Sequence, residues 1–331
     1  MTKISKRSIN IDVIKGLAII SVILLHTYDG FLLLGTGAPL HIWQAVPVFM
    51  ILQGLNNGNS YQRRGFENLR DFNEPNYFYQ KLKRLLFPFI IFFIIQTIYL
   101  RFDTPDYFFN ENHLQRLLTG GRGPGSYFVP LTIQAQILLP LLFVAAKKNV
   151  KAMLAGSFVI STLLEVFSLA VGMNEELYRI LIIRFIFALA LGIALAILED
   201  DYFKTRTYHI LTAISVVYII GVMYFNWDFI MEKFWHSQHA PGFFWPLFLV
   251  IYLKNANMSA DNKILEKIAL LGKASYHIFL VQLFYFWKPV IEESPELPTI
   301  FDSIVNVIVC GVIGIIFYEL EQLLWKKIEK R

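Results

Sequence analysis

Long apolar runs recur along the whole chain, and they restrict its fold more than any other feature. A helix needs about 20 apolar residues to cross about 30 Å of hydrocarbon, and most of these runs reach that length. Of the 331 residues, 56% are hydrophobic and only 17% are charged, which is not the composition of a soluble protein. The runs leave no room for a sizeable soluble domain. The sequence therefore predicts an all-α polytopic membrane protein with a single domain over residues 1–331.

About ten membrane spans are predicted from these runs. The eighth is short, and Pro241 and Pro246 make it the least secure. The predicted spans are residues 11–29, 40–57, 84–101, 127–146, 152–171, 178–198, 207–226, 242–254, 273–290 and 300–324.

The distribution of Lys and Arg predicts the orientation of the spans. With the N-terminus in the cytoplasm, 22 of the 30 cations lie at the termini, in the even-numbered loops or at the adjoining span ends. Lys15 and Arg184 lie within spans, and six cations fall on the outer side: Arg101, Arg116, Arg122, Arg179, Lys233 and Lys288. We therefore expect both termini in the cytoplasm. The net charge of +5 then reflects topology, and no nucleic-acid partner is expected. The first span also resembles a signal peptide, but nine further spans favour a retained helix.

The first span carries two ionisable side chains, Lys15 and His26. Eleven residues are about three helical turns, so both lie on nearly the same face, about 16 Å apart along the axis. Lys15 either marks a functional site or pairs with Asp12 and reaches the inner headgroups. His26 is either a hydrogen-bonded helix contact or a general base that takes a proton from a hydroxyl at neutral pH.

Glu165 and Arg184 are the other two ionisable side chains that stand out within the apolar spans. Each lies about six residues from the outer end of its span, so antiparallel neighbours would hold them at one depth. The sequence predicts an ion pair, which either fixes helix packing or lines a functional pathway.

The loops carry weaker signals. The inner loop from residue 61 to 84 is rich in Arg and Lys, which indicates either a polyphosphate site or contact with anionic lipid headgroups. The outer run GGRGPG at 120–125 consists of turn-forming residues. No serine-nucleophile motif, HExxH pair or Cys/His ligand cluster is present in the sequence, so no metal site is expected.

Five segments resemble the acyltransferase type 3 family of multipass membrane proteins. DVIKGLAIISVILLH, from Asp12 to His26, is similar to the family's opening D-x-x-R/K-G-L/I-A run with a His eleven residues after the basic position. The further segments follow in the family's order, and each alone is a weak signal. They are VPVFMILQGLNNG (46–58), KLKRLLFP (81–88), GSYFVPLTIQAQILLPLL (125–142) and LGKASYHIFLVQ (271–282).

The resemblance implies transfer of an acyl group, commonly acetyl, from acyl-CoA at the cytoplasmic side to a hydroxyl of a glycan or lipid-linked glycan. By this match His26 takes the catalytic position, either as base or as transient acyl carrier. Lys15 takes the basic position of the first span, and Lys81 and Arg84 match a basic pair that contacts CoA phosphates. The implied localisation is a cell membrane, with membrane lipids as neighbours and a bacterial inner or plasma membrane as the expected location.

Several residues depart from the family pattern. Lys15 and Lys81 stand where many members have Arg. An Arg side chain is able to hold a phosphate or carboxylate through two parallel hydrogen bonds, whereas Lys offers only a point charge. Gln53 replaces a small Ser, and Gln282 stands where the late motif often has His, so no catalytic role is expected for Gln282. Two other functions stay open: a transporter or flippase for a glycan intermediate, and a structural subunit of a polysaccharide synthase.

Overall fold

The computed structural model describes residues 9–28, 30–73, 75–198, 200–259, 261–287 and 299–328. Within these ranges the chain is helical and forms no strand. The α-helices are α1 (Ile9–Thr27), α2 (Gly30–Gly35), α3 (Ala45–Arg64), α4 (Pro75–Asp103), α5 (Pro105–Asn110), α6 (His113–Leu118), α7 (Phe128–Val171), α8 (Glu175–Ile180), α9 (Ile186–Ile197), α10 (Arg206–Tyr224), α11 (Phe244–Asn255), α12 (Lys263–Lys273), α13 (Ser275–Trp287) and α14 (Ile300–Ile328).

Six helical segments in the described part of the chain are long and apolar enough to cross a membrane. They are Ile9–Thr27, Ala38–Arg64, Tyr77–Asp103, Phe128–Val171, Arg206–Tyr224 and Ile300–Ile328. The pair α12 and α13, which is bent by 72°, would make a seventh. The prediction of an all-α polytopic membrane protein is confirmed. The count of ten spans is not confirmed, and the side of the membrane on which the termini lie stays a prediction.

The lengths of three helices explain the difference in the count. The fourth and fifth predicted spans both lie in α7, which has 44 residues and a break in its helical backbone at Asn149. α9 and α11 have 12 residues each, or about 18 Å, which is shorter than the hydrocarbon layer. Residue 29 of the first predicted span and residues 288–290 of the ninth lie outside the described residues.

Contacts divide the chain into two compact units. The terminal unit contains Met1–Asp29, Leu82–Pro130 and Asn257–Arg331, and the central unit contains Gly30–Lys81 and Leu131–Ala256. The single domain over residues 1–331 stays a prediction.

In the terminal unit, α1 packs along α12 with the two backbones in contact. A Cβ atom on Gly272 would collide with the carbonyl oxygen of Asp12, and one on Gly16 would collide with the carbonyl oxygen of Ile268. Small residues allow such close approach in membranes, where van der Waals packing holds helices together. This packing fixes α1, which carries Lys15 and His26.

In the central unit, α3 packs against α9 in the same way. Gly54 faces the carbonyl oxygen of Leu189, and Gly192 faces that of Ile51. All residues of α9 from Ile186 to Leu195 are buried. A cluster of aromatic side chains joins the end of α3 to α4 and α7, and its rings pack edge to face. Its members are Tyr61, Phe66, Phe72, Tyr77 and Phe143.

Candidate active site

His26 lies in the last turn of α1, half-buried, beside Gly125. The position of a Cβ on Gly125 would be 3.6 Å from His26 Nε2, 3.6 Å from Phe279 Cε2 and 3.8 Å from Gln282 Nε2. The ring of Phe286 lies 5.9 Å from the imidazole, measured between centroids. An imidazole, an amide and one aromatic ring therefore lie around one point in the terminal unit, and a second aromatic ring lies beside the imidazole.

The outer run 120–125 brings Gly125 to this point. Gly120, Gly121, Gly123 and Gly125 all have positive φ, between 88° and 107°, which residues with a side chain rarely adopt. A Cβ on Gly123 would also collide with the carbonyl oxygen of Leu283 on α13. The sequence indicated only a turn here, whereas the structure makes this run one wall of the site.

Arg122 anchors the same run from inside. Its backbone N–H donates to Gln96 Oε1 at 3.2 Å, and Gln96 Nε2 donates to the Arg122 carbonyl at 2.9 Å. Its buried guanidinium donates from Nε to Glu111 Oε2 at 2.7 Å and from Nη1 to Thr97 at 3.2 Å, and Nη2 also contacts Glu111. Sequence reasoning counted Arg122 only as an outer cation, because its partners lie on other elements.

α13 carries Phe279 and Gln282, and it also carries His277, which contacts α14. His277 Nε2 is 2.5 Å from Glu321 Oε2, and Trp325 Nε1 donates to Glu321 Oε1 at 2.9 Å. Lys83 lies 3.6 Å from the centre of the Trp325 ring, so the chain of contacts reaches the basic segment at the start of α4. Neither His277 nor Glu321 was identified as a site residue from the sequence. Each is an ionisable residue within an apolar helix, and this feature could have identified it.

The cations predicted to serve the CoA side lie on α1 and α4. Lys15 is half-buried, and α1 is a continuous helix, so Lys15 and His26 share a face about 16 Å apart along its axis. Arg84 is exposed on α4 in the terminal unit. Their role at CoA stays a prediction.

Lys81 belongs to the central unit and is held by α3. Its Nζ donates to Asn57 Oδ1 at 2.7 Å, and Asn57 Nδ2 donates to the Gln53 carbonyl at 2.8 Å. Gln53 in turn donates from Nε2 to the Thr132 carbonyl at 3.3 Å. Gln53, which departs from the family's small Ser, therefore ties α3 to α7.

Glu165 and Arg184 lie in one buried cluster, but no hydrogen bond joins them. The Tyr178 hydroxyl donates to Glu165 Oε2 at 2.6 Å, and His239 Nε2 lies 3.4 Å from the same oxygen. The guanidinium carbon of Arg184 lies 4.8 Å from the centre of the Tyr178 ring. Among the described residues, the three guanidinium nitrogens and Glu165 Oε1 have no hydrogen-bond partner. Tyr178 thus contacts both side chains, and the direct ion pair stays a prediction.

His239, in the segment between α10 and α11, is part of that cluster. Its Nε2 lies 3.0 Å from the Phe234 carbonyl, so Nε2 carries the hydrogen and Nδ1 accepts from the Tyr218 hydroxyl at 3.2 Å. Burial lowers the pKa of His239 to about 3. The ring is therefore neutral at pH 7.

The chain matches a known protein family over most of its length. A model of the type 3 acyltransferase family, described as an acyltransferase domain, matches residues 8–318, nearly the whole chain. No curated protein and no solved structure matches the chain. In the part of the chain that the structure describes, no three His, Cys, Asp or Glu side chains are grouped so that they could hold a metal ion.

Proposed function

The chain belongs to the type 3 acyltransferase family of membrane proteins, and on this premise we propose that it is an O-acyltransferase acting on a glycan. The donor is acyl-CoA at the cytoplasmic side, with acetyl as the simplest acyl group. The acceptor is a hydroxyl of a cell-surface or exported glycan, or of its lipid-linked precursor. The proposed location is the cell membrane, and neither a metal ion nor nucleic acid takes part.

The observation that supports this proposal is the placement of His26 Nε2 beside Gly125 and Gln282. A half-buried neutral imidazole is able to accept the proton of an alcohol while the alcohol oxygen attacks a thioester carbonyl. The carbon–sulfur bond then breaks, and the proton passes from the imidazolium to the departing thiolate. The products are an O-acyl ester and free CoA. His26 as a transient acyl carrier gives the same products in two steps.

The donor side is proposed to use the three cations of the family match. Lys15 lies on the same face of α1 as His26, about 16 Å away, so a long donor contacts both. Lys81 and Arg84 on α4 bind the phosphates of CoA. Because Lys offers a point charge and Arg a planar fork, Arg84 is the only one of the three able to hold a phosphate through two parallel hydrogen bonds.

The test is release of free CoA thiol by the purified protein in lipid nanodiscs, with and without a glycan acceptor. We expect His26→Ala to abolish transfer and to leave binding of a non-hydrolysable acyl-CoA unchanged. Arg84→Ala is expected to weaken that binding and to leave the rate at saturating donor near the wild-type value.

A flippase gives a different result in sealed vesicles. It moves the glycan intermediate across the membrane without release of CoA thiol, and that outcome would rule out the enzyme. Mass spectrometry of surface glycans with and without the protein then identifies the acyl group and its acceptor together.

A further inference from the structure

The central unit contains a cavity of about 670 Å³, lined by residues of α7, α9, α10, the segment before α10 and the start of α11. Ligand pockets in proteins commonly have volumes of about 300–1,000 Å³, so this cavity has the size of a binding site. None of its described lining residues belongs to the candidate active site, whose members around His26 lie in the terminal unit. The proposed acyl transfer therefore gives this cavity no role.

The inner part of the cavity is apolar and firmly packed. Phe187 and Leu191 of α9 line it and are buried. The rings of Phe158 on α7 and Phe244 on α11 both pack edge to face on Phe187, with 5.2 Å and 5.5 Å between ring centroids. These contacts hold the walls in place. Because an empty apolar cavity forgoes dispersion contacts along its lining, the fitting occupant is an apolar chain.

The outer part of the cavity faces the hydrocarbon layer. Ala155 and Val159 line it from α7 and are exposed. α7 and α10 both belong to segments that are long and apolar enough to cross a membrane. On the same two helices, Leu163 and Ile214 are 60% and 54% exposed, as expected for side chains in contact with lipid. An occupant thus enters from the bilayer, which identifies the apolar chain as that of a lipid.

One end of the cavity carries a positive charge. Lys151, exposed at the start of the part of α7 that follows the break at Asn149, is the only charged residue among the described residues that line the cavity. Thr205, at the start of α10, lines the cavity too. Both positions lie on the predicted cytoplasmic side. Basic pockets between membrane helices on that side are suited to anionic lipid headgroups.

We propose that this cavity binds an anionic phospholipid, with one acyl chain between α7, α9 and α10 and the headgroup phosphate beside Lys151. The lipid is bound and not consumed, so it is a ligand of the central unit rather than a substrate. The inference does not depend on the proposed acyl transfer.

The charge of the headgroup determines the size of the expected preference. The acyl chain contributes equally for an anionic and a neutral lipid with the same chains. A single Lys near the membrane surface attracts an anionic lipid by about 1 kcal/mol, which corresponds to about fivefold in Kd. We therefore expect about fivefold tighter binding of phosphatidylglycerol than of phosphatidylcholine.

The experiment titrates the purified full chain in detergent with dioleoyl phosphatidylglycerol or dioleoyl phosphatidylcholine. Native mass spectrometry counts the lipids that stay bound, and the melting temperature is measured in parallel, because a ligand of the folded state raises it. The wild type is expected to retain one phosphatidylglycerol and to bind phosphatidylcholine about fivefold more weakly.

Two variants test the two parts of the site. Ala155→Trp places a large ring at an exposed lining position, so it is expected to abolish the retention of both lipids. Lys151→Gln removes the charge, so it is expected to bring phosphatidylglycerol to the affinity of phosphatidylcholine. Ala152→Trp and Lys148→Gln are the matched controls, because both positions are exposed on α7 and do not line the cavity, and both are expected to bind as the wild type does.

Three results overturn the inference: equal binding of the two lipids by the wild type, unchanged lipid retention in Ala155→Trp, or a loss in Ala152→Trp as large as that in Ala155→Trp. If Ala155→Trp does not fold, an unchanged preference for phosphatidylglycerol in Lys151→Gln also overturns it. The proposed function is measured separately, by release of CoA thiol.

Discussion

The carbonyl oxygen of Asp12 occupies the space that a Cβ atom on Gly272 would need, so α1 and α12 touch backbone to backbone. Gly272→Ala forces the two helices apart at that point, and overpacking of this kind costs about 1–3 kcal/mol. We expect a lower melting temperature in detergent and reduced acyl transfer, because α1 carries His26.

Gly156 is the matched control for this change, because it also lies inside a helix but has open space around its Cβ position. Gly156→Ala is expected to leave the melting temperature unchanged or to raise it, since Ala favours a helix by up to about 1 kcal/mol over Gly. Equal effects of the two substitutions would contradict the close α1–α12 contact.

Arg122→Ala is expected to lower the rate of acyl transfer although Arg122 does not touch the reacting groups. The change leaves the buried Glu111 carboxylate without its main partner, and breaking a buried pair costs roughly 3–5 kcal/mol. The run 120–125 then loses its side-chain anchor and keeps only the backbone hydrogen bonds of residue 122 to Gln96, so Gly125 is held less firmly beside His26. The measurement is CoA thiol release together with limited proteolysis of the run.

Arg116 contacts the same carboxylate from the surface, with 44% of its side chain exposed. Exposed pairs contribute about 0–1 kcal/mol, so Arg116→Ala is expected to keep both activity and protease resistance close to wild type. A similar loss in both variants would show that the buried position of Arg122 does not matter.

A third prediction concerns the cluster of Glu165, Tyr178 and Arg184. Removing the hydroxyl that donates to Glu165 leaves a buried carboxylate oxygen unpaired, so Tyr178→Phe is expected to cost about 1–3 kcal/mol. Glu165→Gln and Arg184→Gln are each expected to impair folding or activity, and the double variant less than their sum. The measurement is thermal unfolding of the single and double variants.

Arg179→Gln is the control for these variants, because Arg179 is partly exposed on α8, where Nη1 lies 3.9 Å from Glu175 and the guanidinium carbon lies 5.7 Å from the centre of the Trp235 ring. We expect a change within about 0.5 kcal/mol. Strict additivity of Glu165→Gln and Arg184→Gln would show that Tyr178 does not couple the two side chains.

Local patterns predicted the membrane helices and the common face of Lys15 and His26, because hydropathy and helical spacing depend only on neighbouring residues. The partners of Arg122 were not predictable in this way. Gln96 and Thr97 lie on α4, and Glu111 lies between α5 and α6. Only the packing of these elements brings the three residues to Arg122. A single sequence contains no information on such pairings.

The contact between Tyr178 and Glu165 shows the same limit. Depth within the spans placed Glu165 and Arg184 at one level, which agrees with their common cluster, but depth does not say which polar side chain stands between them. The break at Asn149, by contrast, falls between the fourth and fifth predicted spans, residues 127–146 and 152–171, so the hydropathy pattern did indicate an interruption there.

The last prediction follows from the neutral state of His239. Its pKa in the folded protein is lowered to about 3, whereas an unfolded His titrates near 6.5, so below about pH 6.5 the unfolded state binds more protons. Stability is therefore fully present above pH 6.5 and falls as the pH decreases, by up to about 1.4 kcal/mol per pH unit. Melting temperatures at pH 7.5 and 5.5 measure this loss, which His239→Gln is expected to reduce. His41→Gln, at an exposed position of the same unit, serves as control, and an equal pH dependence in wild type and His239→Gln would show that His239 is not the titrating group.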